Sequence, residues 1–166
     1  MLLFLNIFPK SWLPTFNWIE ASGFGAAVRD SLWAFAVIES VHLLALATMG
    51  GAVLLVDLRM LNLGLRQRPV AELAQEARPF QNAALVVLVL SGLGLFSSEA
   101  VKCYYSFPFS VKITTLVVAT LFTYTIRRRI VFSPDSSDTS RMAVALISVT
   151  LWFIVAAAGR WIGFSG

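Results

Sequence analysis

Glu39 and His42 are ionisable side chains that lie one helical turn apart inside an apolar run, AFAVIESVHLLALATMGGAVLLVDLRM, residues 34–60. His42 is the only histidine in the chain. An ionisable residue within hydrocarbon indicates a functional site, and an imidazole there can bind a haem iron, pass a proton or hydrogen-bond a quinone. A neutral histidine bonded to Glu39 or to a backbone carbonyl, which only locks helix packing, is the structural alternative.

The run can enter a membrane despite its carboxylate. Between Ser31 and Asp57 it holds twelve Leu, Ile, Val or Phe residues. These contribute roughly 4 to 7 kcal/mol toward insertion, against about 3 kcal/mol for one carboxylate at mid-membrane. Because that penalty persists, we expect the polar pair to face other helices and not lipid. At about 100° per residue, His42 shares this inward face with Glu39 and Met49.

The amino-acid composition indicates that the chain is a membrane protein. Of its 166 residues, 58% are hydrophobic and 13% are charged, which a soluble domain of this size could hardly bury. The net charge of +4 indicates membrane topology and anionic lipid, and not nucleic acid, because the basic residues stand mostly at the ends of apolar runs. A single cysteine, Cys103, excludes a disulfide within one chain and a cysteine-based metal cluster.

Four segments have the ~20 residues needed to cross a ~30 Å hydrocarbon core. They cover residues 31–58, 80–98, 107–126 and 142–164. Pro79 suits the approach to the second segment, and Pro69 could begin a short surface helix before it. Arg127, Arg128 and Arg129 are expected to end the third as a stop-transfer signal, and Asp138, Thr139 and Ser140 are candidate N-caps of the fourth.

The first 30 residues form a separate segment. Asn6 and Pro9 interrupt its apolar start and no basic n-region precedes it, so we read it as retained and not as a signal peptide. Its aromatic residues alternate with charged ones, which predicts an amphipathic helix in the headgroup region. The residues concerned are Lys10, Trp12, Phe16, Trp18, Glu20 and Phe24.

The basic residues also predict the topology. Eight lie in the loops after the first span and between the third and fourth, and five lie on the other side. The positive-inside rule then places both loops in the cytoplasm and both termini outside. The sequence therefore predicts an all-α, integral membrane four-helix bundle in a bacterial inner membrane, with residues 1–30 at the interface and 31–166 in the bundle.

Two more cations are expected at the outer level of His42. Lys112 lies near the start of the third span and Arg160 near the end of the fourth. An inward histidine with cations above it suits haem b, with His42 as axial ligand, Glu39 tuning the ligand side, and Lys112 and Arg160 binding the propionates. The same geometry suits a quinone or a proton relay, and both cations also suit snorkelling anchors. Asp57 and Arg59 are expected to form an interfacial ion pair.

The pattern W-x5-E-x2-H-L-L-x-L-x3-G, followed by DLRMLNLGL and later by F-x2-K, resembles a known group of small bacterial membrane proteins. These are the HemJ-type protoporphyrinogen oxidases and the copper-resistance-D-like proteins. The whole chain, including GRWIGF, resembles an uncharacterised bacterial four-helix family. The HemJ-type resemblance implies haem contact for His42 and a supporting role for Lys112. The match is carried by Trp33, Glu39, His42, Gly50, Asp57, Arg59, Phe109 and Lys112.

One departure from that pattern matters, because HemJ-type proteins carry further histidines. With only His42, a bis-histidine site within one subunit is impossible, and Met49 on the same helix cannot reach the opposite face of the haem. We therefore expect a haem b-binding protein with a redox or electron-transfer role, acting as a homo-oligomer or within a larger membrane complex. The alternatives are a non-catalytic accessory subunit and a small proton-relay or transport component, with a quinone or no cofactor. Whether the chain is an enzyme stays open.

Overall fold

The computed structural model describes residues 8–164, so the first seven residues of the expected interfacial segment lie outside the described residues. Within this range all of the regular secondary structure is helical. A short 3-10 turn, Lys10–Trp12, precedes α1, and a π-helical turn, Thr123–Arg127, separates α6 from α7. The helices are α1 (Leu13–Glu20), α2 (Gly23–Asp30), α3 (Ala34–Met60), α4 (Val70–Ser98), α5 (Ala100–Tyr105), α6 (Phe107–Phe122), α7 (Arg128–Phe132) and α8 (Asp138–Ile162).

Four helical segments are long and apolar enough to cross a membrane. They are Ala34–Met60, Val70–Ser98, Phe107–Phe132 and Asp138–Ile162. Four apolar helices were expected from the sequence, and this part of the prediction is confirmed. The N-cap of α8 is Ser137, whose hydroxyl accepts a hydrogen bond from Ser140 N at 3.2 Å, so the cap lies one residue before the three candidates.

The second span is longer than the 80–98 expected, because α4 begins at Val70 and continues through Pro79. A proline inside a helix removes one backbone hydrogen bond but need not end the helix when packing holds both sides. Leu73, Ala74 and Ala77 supply that packing, since they are buried in the core beside Val56 and Val131. The expected surface helix after Pro69 and the second span are thus one helix.

The third span also runs past its expected end at Ile126. After α6 the π-helical turn accommodates one extra residue per turn, and α7 continues to Phe132. Arg127 is buried at this point, whereas Arg128 and Arg129 are exposed. The first of the three arginines therefore belongs to the protein interior, and the other two lie at the surface.

The long helices pack in the order α4, α3, α8, α6, with α3 against α4 and α8, and α6 against α8. Their shared interior is apolar in the middle, where Met49 and Val53 are 0% and 1% exposed and pack with Ala119 and Trp152. In the described range, no Cα atom of α6 comes within 8 Å of α3 or α4. Side chains alone therefore join α6 to these two helices.

The N-terminal helices fold onto one end of the long ones, with α1 against α5 and α2 against α4. Phe16 is buried between the rings of Phe96 and Tyr104. Glu20 Oε2 accepts a hydrogen bond of 2.6 Å from Val101 N, in the first turn of α5. Gly25 lies so close to α4 that a Cβ there would collide with the backbone oxygen of Ser97. This segment covers the end of the molecule nearest His42.

Candidate functional site

His42 is buried and both of its ring nitrogens have polar neighbours. Nδ1 lies 2.9 Å from Ser91 Oγ on α4, and Nε2 lies 3.3 Å from Lys112 Nζ on α6. The edge of the ring rests on Gly92, where an added Cβ would lie 3.3 Å from Cε1. Within the described range, the imidazole therefore bridges α4 and α6, whose Cα atoms stay more than 8 Å apart.

The hydrogen bonds assign the tautomer of the ring. Ser91 Oγ donates its single proton to Val87 O, at 2.5 Å, so its interaction with His42 must be that of an acceptor. Nδ1 then carries the proton and donates to Ser91. Nε2 is left with a lone pair, which accepts from the ammonium group of Lys112. The Nε2 lone pair of His42 thus points toward α6 and is occupied by Lys112.

Lys112 reaches the histidine across the gap between α6 and α3. Its chain passes Gly159 of α8, where an added Cβ would lie 3.5 Å from Nζ. No carboxylate pairs with this ammonium within residues 8–164. All four long helical segments therefore contribute to the site, and its one cation has only the neutral imidazole as a partner.

A second polar link joins the same two spans at their other end. Arg127 Nε donates to Asp57 Oδ1 at 2.7 Å, and its NH2 group donates to Val53 O at 3.2 Å. The two side chains are 5% and 0% exposed. Asp57 lies 15 residues after His42, and Arg127 lies 15 residues after Lys112. At 1.5 Å per residue the two links are about 22 Å apart along the helices.

The Asp57 link corrects one expectation and adds residues that the sequence reading missed. Asp57 does not pair with Arg59, whose guanidinium bonds Arg68 O and Asn62 Oδ1 in the adjoining loop. The equal 15-residue spacing is the signal that could have revealed Arg127. Ser91 gave no comparable signal, because a serine in an apolar helix usually bonds its own backbone.

Two of the four predicted site residues do not join the others. Glu39 is exposed and forms no hydrogen bond or ion pair within the described range, although it is one turn from His42. Arg160 is also exposed, and its guanidinium lies 4.5 Å over the ring of Phe164. In α8 it is the neighbouring Gly159 that faces Lys112. The structure thus brings His42 and Lys112 together and leaves Glu39 and Arg160 at the surface.

The residues around His42 meet part of what a haem requires. Ser91 anchors Nδ1, which is how a metal-bound imidazole is usually oriented, and Nε2 keeps its lone pair. Lys112 stands in front of that lone pair, and its flexible four-carbon chain is able to swing away. These residues could supply one bond to a haem iron, from His42, and one cation for a haem carboxylate, from Lys112. The arrangement does not fit a propionate on Arg160.

Metal binding by protein side chains alone has less support. Among residues 8–164 no three His, Cys, Asp or Glu side chains cluster as ligands for an ion. Cys103 is buried in α5, outside the long spans, and burial raises the pKa of its thiol to about 12. A thiol in that state is a poor ligand.

A sequence profile for DUF6644, described as a family of unknown function, matches residues 15–165. The chain belongs to this family, since the match covers most of its length. No curated protein and no solved structure gives a significant match. The expected membership of an uncharacterised family is therefore confirmed, while the likeness to HemJ-type and copper-resistance-D-like proteins stays a prediction.

Proposed function

For this member of DUF6644 we propose a haem b-binding integral membrane protein with a role in electron transfer. One observation carries the proposal: a buried imidazole, oriented by Ser91, whose unprotonated Nε2 accepts a hydrogen bond from Lys112, an ammonium with no carboxylate partner among the described residues. A cation inside a membrane protein is expensive without an anionic partner. A ligand that offers both a metal for the imidazole and a carboxylate for the ammonium satisfies both groups.

Each side chain of the site has a distinct role in this proposal. His42 Nε2 would hold the haem iron, and Ser91 would orient the ring by accepting from Nδ1. Lys112 would bind a haem carboxylate, which would neutralise its charge. Gly92 keeps side-chain atoms away from the ring edge. A bound haem supplies reversible one-electron transfer at its iron.

We further propose a bacterial inner-membrane bundle with both termini outside and residues 8–30 at the outer interface. Exposed Trp12, Trp18 and Phe24 suit that interface, and the more basic loops then lie in the cytoplasm. His42 lies nearer the outer surface in this orientation. Labelling of single introduced cysteines with a membrane-impermeant maleimide tests the orientation.

The apolar middle of the molecule favours electron transfer over a proton relay across the membrane. His42 and Asp57 are separated by about 22 Å, and Met49 and Val53 are tightly buried between them. A relay needs polar groups or water at hydrogen-bond spacing; Met49 and Val53 offer none, and the buried polar groups beside them, Trp152 Nε1 and Thr123 Oγ1, bond to each other at 3.1 Å. An electron needs no such chain of groups.

A second candidate is an accessory subunit of a larger membrane complex, because one face of α3 is open. An added Cβ at Gly50 or Gly51 would meet nothing within 4 Å. Small residues facing lipid allow another helix to approach closely. Under this alternative the protein co-purifies with a larger complex in mild detergent, and Gly51→Leu releases it while haem content stays unchanged.

The leading proposal is tested by a reduced-minus-oxidised absorbance spectrum of protein purified in detergent from haem-sufficient cells. We expect a haem b band that His42→Ala abolishes. Ser40→Ala is the matched control, because Ser40 is exposed on the same helix and bonds only Ala36 O. Ser91→Ala should weaken haem binding about 10- to 100-fold, as loss of a group that orients a metal ligand usually does.

Size-exclusion chromatography and circular dichroism establish that each variant is folded before its spectrum is compared. A wild-type protein without a haem band refutes the proposal and leaves the accessory subunit as the better account. A band that persists at equal occupancy in His42→Ala also refutes it, since the haem would then be held elsewhere.

A further inference from the structure

A groove runs between α4 and the third span at the basic end of the molecule. Its polar walls are formed by Arg78, Gln81, Tyr124 and Arg128. Tyr124 donates a hydrogen bond of 2.7 Å to Asn82 Oδ1, which joins the two walls beside the groove. Three guanidinium groups therefore line one cleft between helices that are long and apolar enough to span a membrane, and those of Arg78 and Arg128 are exposed.

The charges of these two arginines are not neutralised by the protein. Neither Arg78 nor Arg128 forms an ion pair within residues 8–164. The carboxylates of α4 near the groove, Glu72 and Glu76, are both engaged by Arg68. Arg127 also borders the groove, but its charge is paired with Asp57. The cleft thus has an excess of positive charge, which suits an anionic ligand.

The wall of the cleft also has an apolar part, which is partly exposed. Val131 and Phe132 belong to its wall, and Phe132 is 39% exposed. A ligand with an anionic head and a hydrocarbon tail fits this cleft better than a water-soluble anion does, because the tail can cover the exposed ring of Phe132.

We propose that this groove binds the phosphate of an anionic phospholipid, with Arg78 and Arg128 as its ligands. The guanidinium fork suits phosphate oxygens, and basic pockets between membrane helices are recognised sites for anionic headgroups. The site lies at the opposite end of the long helices from His42, so this inference does not depend on whether the chain binds haem.

The test is lipid binding by delipidated full-length protein in detergent, followed by native mass spectrometry. Dioleoylphosphatidylglycerol is compared with dioleoylphosphatidylcholine, which has the same tails and no net charge. We expect a preference for phosphatidylglycerol that falls about fivefold in Arg78→Gln or Arg128→Gln and about 30-fold when both are changed. Arg129→Gln is the matched control, because it removes the same charge from an exposed neighbour that does not line the groove.

Three outcomes overturn the proposal. One is a preference for phosphatidylglycerol that survives in the double variant. Another is an equal loss in Arg129→Gln, which would indicate a diffuse basic surface. A third is displacement of the lipid by inorganic phosphate at similar concentration, which would indicate a soluble anion. If the double variant does not fold, Arg128→Gln alone decides, since its side chain is exposed and unpaired.

Discussion

Replacing Arg127 with methionine should destabilise the protein far more than the same change at Arg128. Arg127 is the buried partner of Asp57 and bonds the Val53 carbonyl as well. Arg128 is exposed and forms no ion pair within the described residues. The two variants remove the same charge from adjacent positions, so any difference reports the buried link between α3 and the third span.

The expected loss of stability follows from the Asp57 carboxyl group, which stays buried after Arg127 is removed. Asp57 is fully buried, and its Oδ2 atom already has no hydrogen-bond partner in the part of the chain that the structure describes. Arg127→Met removes the ion-pair partner of an enclosed carboxyl group, which costs about 3–5 kcal/mol. Arg128→Met should cost less than about 0.5 kcal/mol, as exposed substitutions usually do.

A double variant, Asp57→Leu with Arg127→Met, separates the loss of a partner from the value of the pair. Because this variant has no buried carboxyl group left without a partner, its free energy of unfolding should lie within about 1–2 kcal/mol of the wild-type value. The free energy of unfolding is measured by titrating dodecyl sulfate into mixed micelles while helix content is followed by circular dichroism. The reasoning is wrong if Arg127→Met matches Arg128→Met, or if the double variant is less stable than Arg127→Met.

Three further predictions concern the N-terminal segment, the orientation in the membrane and Cys103. Gly25→Ala should weaken the packing of the N-terminal segment by about 1–3 kcal/mol and expose the segment to protease, because the added Cβ would collide with a backbone oxygen of α4. Gly23→Ala is the control and should have no effect, because its added Cβ would meet nothing within 4 Å. In spheroplasts an impermeant maleimide should label Leu32→Cys, which is 92% exposed, and reach Thr139→Cys only after permeabilisation; the reverse order would invert the proposed orientation. In both cysteine variants Cys103 should stay unlabelled between pH 7 and 9, because burial raises the pKa of its thiol to about 12 and so keeps it protonated. Unfolding in dodecyl sulfate should expose the thiol and allow it to be labelled.

Local chemistry explains why the membrane helices could be predicted from sequence. A long apolar run is helical in a bilayer whatever surrounds it, since its backbone groups have no other partners. The inward direction of His42 also follows from the sequence, because an imidazole facing lipid would be costly. The helix ends were less predictable, as Pro79 and Arg127 show, because packing against distant residues outweighs the local signals that end a helix.

What the sequence by itself determined is that the chain has four membrane-length helices and an ionisable group in the first of them. Only the tertiary structure decided which groups meet. Lys112 and Ser91 approach His42 while Glu39, its neighbour on the helix, does not. Likewise Asp57 bonds Arg127, which is 70 residues away, and not nearby Arg59. The physical reason is that a polar partner is selected by helix packing and burial, and these depend on contacts between helices that no single helix contains.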